Sequence, residues 1–223
     1  MSFKKNRYCI IRNVIPPILG EFCARYLEMK KYNHNVLKAE RYITEFNTDH
    51  GYFIDPQAPN TFSIYGDQAM ETLFHFVKPK MEKATKLKLY ETYAYARLYK
   101  KGDVLERHKD RMSCEISTTL FLAGDPWPIY VDPKGAGDDS GPEYVPLNNK
   151  GVKVNLNAGD MLVYKGIELE HWREPFKGNI CAQVFLHFND VKHPDAEKNK
   201  YDTRPMLGLP KYFKGKGDQR AKW

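Results

Sequence analysis

Residues 93–122 read YAYARLYKKGDVLERHKDRMSCEISTTLFL, and this stretch decides the fold. It opens with period two: Tyr93, Tyr95, Arg97 and Tyr99 fall on one face of an extended strand, and Ala94, Ala96 and Leu98 on the other. A Lys-Lys-Gly-Asp turn follows, then His108-Lys109-Asp110, and a second strand-like run leaves over 116–122. The small apolar face of the first strand suits packing under helices, while the tyrosine face looks into a polar cavity. Arg97 on that inner face needs an anionic partner, because an unpaired buried charge is costly. A structural salt bridge meets that need as well as a ligand does.

His108 and Asp110 stand two apart, so on a strand their side chains point the same way. A third residue of matching chemistry lies far downstream, His171 in IELEHWREP. Two imidazoles and one carboxylate on a single face of a metal leave other coordination positions open, the arrangement of non-haem Fe(II) oxygenases. His108, Asp110 and His171 are therefore the expected metal ligands and catalytic centre. The His-x-Asp triplet alone is weak, since His193-Pro194-Asp195 repeats it in a polar stretch that reads as a solvated turn. The first copy differs in having β-rich flanks and a later histidine that precedes another strand.

Working outward, residues 8–14 form a strand. After Pro16 and Pro17, the spacing of Leu19, Phe22, Cys23, Tyr26 and Leu27 predicts a helix to about residue 31. Residues 33–48 show no clear period, and 49–60 read as loop. Asp67 is the expected N-cap of a second helix, with Met70, Leu73, Phe74, Val77 and Met81 as its apolar stripe and a kink at Pro79. His75, among them, reads as a half-buried core histidine and not a ligand. Beyond the opening stretch come a short strand at 129–131, a Gly-, Pro- and Asp-rich loop at 132–149 that could act as a lid, and strands at 151–156, 161–164, 166–171 and 180–188. Short strands after a helical third predict a mainly β fold with α, a sandwich or barrel with helices on one side. The expected domain covers 1–190, and 191–223 is a polar, basic extension with one ordered patch at 204–210.

The chain of 223 residues is long enough for one sizeable core. Its formal charge of +7 owes part to Lys211, Lys214, Lys216, Arg220 and Lys222, so it partly describes a tail. That balance permits nucleic-acid binding without establishing it. Of the four cysteines, none forms a C-x-x-C pair, and Cys9, Cys23 and Cys181 read as small core residues. With no disulfide framework, no signal-like opening and no apolar run of spanning length, the expected location is cytoplasmic, with no membrane partner.

These residues resemble the 2-oxoglutarate- and Fe(II)-dependent dioxygenases, nearest to the prolyl 4-hydroxylase-like branch, from residue 8 to about 189. YCIIRNVIPPILGEFCARYL looks like that branch's opening strand and helix, and Tyr99-Lys100-Lys101-Gly102 like its Tyr-x-x-Gly lead-in to the metal motif. LNAGDMLVY at 156–164 looks like the turn and strand that deliver the distal histidine. The resemblance implies a double-stranded β-helix, or jelly roll, with N-terminal helices on its major sheet. It also implies Fe(II), 2-oxoglutarate as co-substrate, O2, and hydroxylation of a C–H bond with release of succinate, most typically on a prolyl residue of a protein or peptide. One departure stands out. Where the family places an Arg or Lys nine or ten residues past the distal histidine, this chain has Ile180 and Cys181. A dicarboxylate in a closed pocket still needs a cation, and Arg97, Arg173 or Lys177 could supply it, with Tyr99 donating a hydrogen bond. Arg107, Arg111, Glu115 and Trp172 are further polar groups that could meet a prime substrate. Two alternatives stay open: a nucleic-acid demethylase of the same superfamily, whose Asn two residues before the Tyr is here Arg97, and a non-enzymatic jelly roll used for binding.

Overall fold

The computed structural model describes residues 2–141 and 143–213. A one-turn helix α1 (Phe3–Asn6) leads into β1 (Tyr8–Ile11) and the long helix α2 (Pro17–Ala39). Pro17 suits the first turn of α2, where its fixed φ fits and the N–H it lacks has no intrahelical partner. Strand β2 (Phe62–Tyr65) precedes α3 (Gln68–Thr72) and α4 (Phe74–Thr85). Then come β3 (Leu89–Lys100), β4 (Leu105–His108), β5 (Ile116–Gly124), β6 (Ile129–Val131), β7 (Val152–Val154), β8 (Met161–Lys165), β9 (His171–Arg173) and β10 (Ile180–Asp190). A short helix α5 (Ala196–Asn199) follows.

The strands form two antiparallel sheets, a larger one in the order β1-β8-β5-β10-β3-β2 and a smaller one in the order β4-β9-β6-β7. Two cores result, as the alternation in β3 requires. Ala94, Ala96 and Leu98 pack with Leu27, Val77 and Met81 between the large sheet and the helices. Tyr99 packs with Trp127, Ile129, Tyr164 and Leu169 between the two sheets. The fold is thus the expected jelly roll with helices on its major sheet.

Several local expectations change. The second predicted helix breaks at Leu73 into α3 and α4, and Pro79 lies inside α4 without ending it. Asp67 is the N-cap, accepting from the backbone N–H of Ala69 at 3.0 Å and Met70 at 3.2 Å. His75 is exposed, one position round the helix from the buried Phe74. Phe22 also points to solvent, at 64 % exposure, so the buried stripe of α2 runs through Gly20, Cys23, Ala24 and Leu27. That helix continues to Ala39, well past residue 31. Its outer Met29, Tyr32 and Val36 are exposed, so no amphipathic stripe marks its last turns. Residues 166–168 turn, and His171 opens β9 where a strand was expected to end.

Residues 191–213 pack against the domain. Arg204, 2 % exposed, pairs with buried Glu71 at 2.7 Å, and Tyr65 donates to Asp202 at 2.6 Å. Lys214, Lys216, Arg220 and Lys222 lie outside the described residues. All four cysteines are buried and free. Among the described residues no helix is long and apolar enough to cross a membrane.

Candidate metal centre

The small sheet brings the distant ligands together. β4 and β9 pair antiparallel with His108 directly opposite His171, and Asp110 follows two residues past His108. Asp110 Oδ1 lies 3.5 Å from His171 Nε2 and 3.8 Å from His108 Nε2, with the two rings 4.2 Å apart between centroids. One donor atom from each residue lies within 4.8 Å of the others, the one such group of three or more among the described residues. Two metal–donor bonds of about 2.1 Å at right angles separate their donors by roughly 3 Å, so small side-chain movements close the three onto one ion.

The tautomers are fixed as well. His108 Nδ1 lies 2.8 Å from the Glu106 carbonyl and His171 Nδ1 lies 3.0 Å from the Leu169 carbonyl. A carbonyl only accepts, so each Nδ1 carries a proton, which leaves Nε2 as the nitrogen that a neutral ring would turn to a metal. Burial, reinforced by the neighbouring His171, pulls His108 down to about 4, so its ring is neutral at pH 7. Burial works to raise Asp110, but the facing imidazoles, His171 foremost, hold it well below the usual carboxylate range. The donor set fits a divalent first-row metal with open positions.

The three donors stand on the wall of a cavity of about 380 Å³, with Tyr93, Tyr95, Tyr164 and Phe185 among its lining. Arg97 lines it too but is already matched: Nη2 meets Asp55 at 2.5 Å and Gln57 at 3.0 Å, and Nη1 donates to the Tyr99 hydroxyl at 3.1 Å. This is the salt-bridge reading of that residue. Arg173 is different. On β9 it falls on the same side as His171, forms no part of the cavity lining, and is 1 % exposed. Nη1 donates to the Trp127 carbonyl, Nη2 to Thr119 Oγ1 at 3.0 Å, and the guanidinium stands 5.0 Å over the Trp127 ring. Its Nε is buried with no partner, as is that of Arg97, but where Arg97 has Asp55 no carboxylate among the described residues pairs with Arg173. Burial lowers its proton affinity.

Of the other expected contacts, only Arg111 lines the cavity, stacked 4.6 Å over Tyr93 and paired with Asp202 at 2.8 Å. Arg107 lies 3.5 Å over the Trp172 ring and bonds Glu170 at 3.2 Å, while Glu115 accepts from the Asp190 N–H at 2.9 Å. Those three are structural. Lys177, like Tyr99 and Arg173, forms no part of the cavity lining, and unlike those two it is exposed. Within the 132–149 loop Tyr144 and Leu147 are anchored: Glu170, fully buried, accepts from the Tyr144 hydroxyl at 3.0 Å and the Leu147 N–H at 3.2 Å.

No family model matches the sequence, and no curated protein does. Solved structures match instead. A prolyl-4-hydroxylase from Pseudomonas putida superposes with a TM-score of 0.57 at 13 % identity, over 84 % of this chain and 95 % of that one. HygX from Streptomyces hygroscopicus, with nickel and 2-oxoglutarate bound, gives 0.56 at 14 % identity over 85 % of each chain. The epimerase SnoN, in complex with Fe3+, alpha ketoglutarate and nogalamycin RO, gives 0.58 at 13 % identity over 85 % of this chain and 81 % of that one. The chain has the fold of these proteins.

Four residues of the site escaped the sequence reading. Ser117 reaches Asp110 from β5, His187 on β10 meets Ser117, Tyr164 packs on the His171 ring at 4.6 Å, and Gly166 backs the carboxylate. The signal for two of them was alternation: Ser117 shares its strand face with Thr119 and Phe121, and His187 shares one with Gln183 and Phe185.

Proposed function

We propose that this chain is an Fe(II)-dependent oxygenase that uses 2-oxoglutarate to hydroxylate a C–H bond, with a prolyl residue of a protein or peptide as the group attacked. The donor set carries the reading: two imidazole lone pairs and one carboxylate oxygen on a cavity wall, each imidazole set by its own backbone carbonyl. Iron held there would supply the redox chemistry that couples loss of CO2 from 2-oxoglutarate to oxidation of the substrate. The chain's own residues bind, orient and shield. Arg173 is a buried cation without an acid, and the far carboxylate of 2-oxoglutarate is the kind of partner it lacks. Tyr99 accepts from Arg97 and so keeps its own O–H to donate to the co-substrate. Arg97, matched by Asp55, stiffens the wall. Phe185, in the cavity lining, supplies apolar surface for a pyrrolidine ring. The oxygenase unit is 1–190, with the described residues that follow closing one flank of it.

The prolyl assignment draws on the Pseudomonas putida neighbour. An epimerase has the same fold, so the substrate has to be tested directly. Fe(II)-loaded protein is supplied with 2-oxoglutarate and O2, and succinate is measured with a prolyl peptide, a methylated oligonucleotide or free amino acids. Succinate stimulated by the prolyl peptide is expected. Stimulation by the oligonucleotide alone would replace the substrate and keep the chemistry. Succinate no higher than from Asp110→Ala in every arm would leave a binding jelly roll.

A further inference from the structure

The chemistry around Asp110 continues past the three donors, and a role for the residues behind it rests on the same metal site. Asp110 Oδ1 faces both imidazoles, while Oδ2 turns away and lies 2.5 Å from Ser117 Oγ. Ser117 is fully buried, and its Oγ lies 3.0 Å from Nδ1 of His187. His187, 6 % exposed, packs at a tilt against Tyr93 with ring centroids 4.7 Å apart and lines the cavity.

The protons in this chain can be assigned. An ionised carboxylate only accepts, so the Ser117 hydroxyl donates to Oδ2 across the 2.5 Å contact. A hydroxyl has one proton. The Cys114 carbonyl, 3.0 Å from the same Oγ, can therefore take no more than a share of it. Toward His187 the Ser117 oxygen can only accept, so the imidazole carries its proton on Nδ1. Its Nε2 is then a lone pair, and no described residue donates to it.

The geometry points to a positioning role for Ser117 and His187: together they hold Asp110 to coordination through Oδ1 alone, and they fix His187 with an acceptor nitrogen left over on the cavity side. One-oxygen coordination preserves a position on the metal that a bidentate carboxylate would take. Partners of metal ligands commonly matter by about ten- to a hundredfold in affinity.

Co(II) is the probe, read by its visible absorption and by competition with a chelator, so no turnover is needed. Ser117→Ala and His187→Phe are expected to weaken Co(II) binding by about ten- to a hundredfold and to change the band shape as Oδ2 swings onto the ion. His187→Asn, whose amide N–H can stand where Nδ1–H does, should restore most of the affinity. Independently of any variant, nitrogen-15 spectra of Zn(II)-loaded protein should show His187 protonated at Nδ1. Wild-type affinity in Ser117→Ala and His187→Phe, or a His187 proton on Nε2, overturns the proposal while leaving the metal site standing. A wild-type protein that takes up no Co(II) sinks the metal-site reading itself.

Discussion

Arg173→Met tests both the co-substrate site and the energetics of the buried cation. The side chain is 1 % exposed, with Nε unpartnered and no acid beside it. If a carboxylate of 2-oxoglutarate takes up the guanidinium, two charge-assisted hydrogen bonds vanish in the variant. At about 1.5–3 kcal/mol each they sum to roughly 3–6 kcal/mol, which converts to about a hundred- to ten-thousandfold weaker binding. Stability should move the other way. Burying an unpaired ion costs several kcal/mol, which methionine of similar length removes. The offset is the Trp127 carbonyl, which loses its donor at a cost of about 1–3 kcal/mol, while Thr119 keeps its bond to Gln183. The metal-free variant should therefore melt no lower than wild type. Calorimetry of 2-oxoglutarate binding to Zn(II)-loaded protein reads the first quantity, and a thermal scan of metal-free protein the second. An unchanged 2-oxoglutarate affinity, or a strongly lowered melting temperature, refutes the reasoning.

Other outcomes follow from the same geometry. In Gly166→Ala the new Cβ would fall 2.5 Å from Ser117 Oγ and from the Cys114 carbonyl and closer still to Asp110 Oδ2. Fe(II) affinity should drop by about ten- to a hundredfold in a competition titration. Arg204→Met leaves Glu71 buried without its cation, a loss of about 3–5 kcal/mol; at about 2–4 °C per kcal/mol for a chain of this size the melting temperature should fall by roughly 6–20 °C. An unmoved melting temperature would mean that the segment after residue 190 is not docked as described. For pH, His108 and His187 are held down to about 4 by burial in the folded state, against about 6.5 when unfolded. Between those values the unfolded chain binds more protons, so stability is full above pH 6.5 and falls as pH drops toward 4. Urea titrations of metal-free protein at stepped pH check this, and a flat profile from 6.5 to 4 contradicts it.

The fold was readable because β3 alternates without error from Tyr93 to Tyr99, and a strand buried on both sides has little freedom to slip register. The metal donors were readable for a related reason: His108 and Asp110 share a face within one short segment, and His171 stands in a distinct local context. What stayed hidden depends on partners brought together by the sheets. Nothing local marks Arg97 as matched and Arg173 as unmatched. That difference comes from Asp55, in a loop far upstream, reaching the first and not the second. Ser117 and His187 are ordinary inward residues until β5 and β10 pair and put them beside Asp110. Phe22 and His75 misled because helical spacing alone does not set which side of a helix meets the sheet.

The most direct measurement is anaerobic Fe(II) titration of the wild-type chain and of His108→Ala, Asp110→Ala and His171→Ala, counting bound iron per chain. One tightly bound ion is expected in the wild type and loss of that site in each variant, with all four proteins folded. Equal iron uptake by folded His171→Ala and wild type would show that the three side chains do not share a metal.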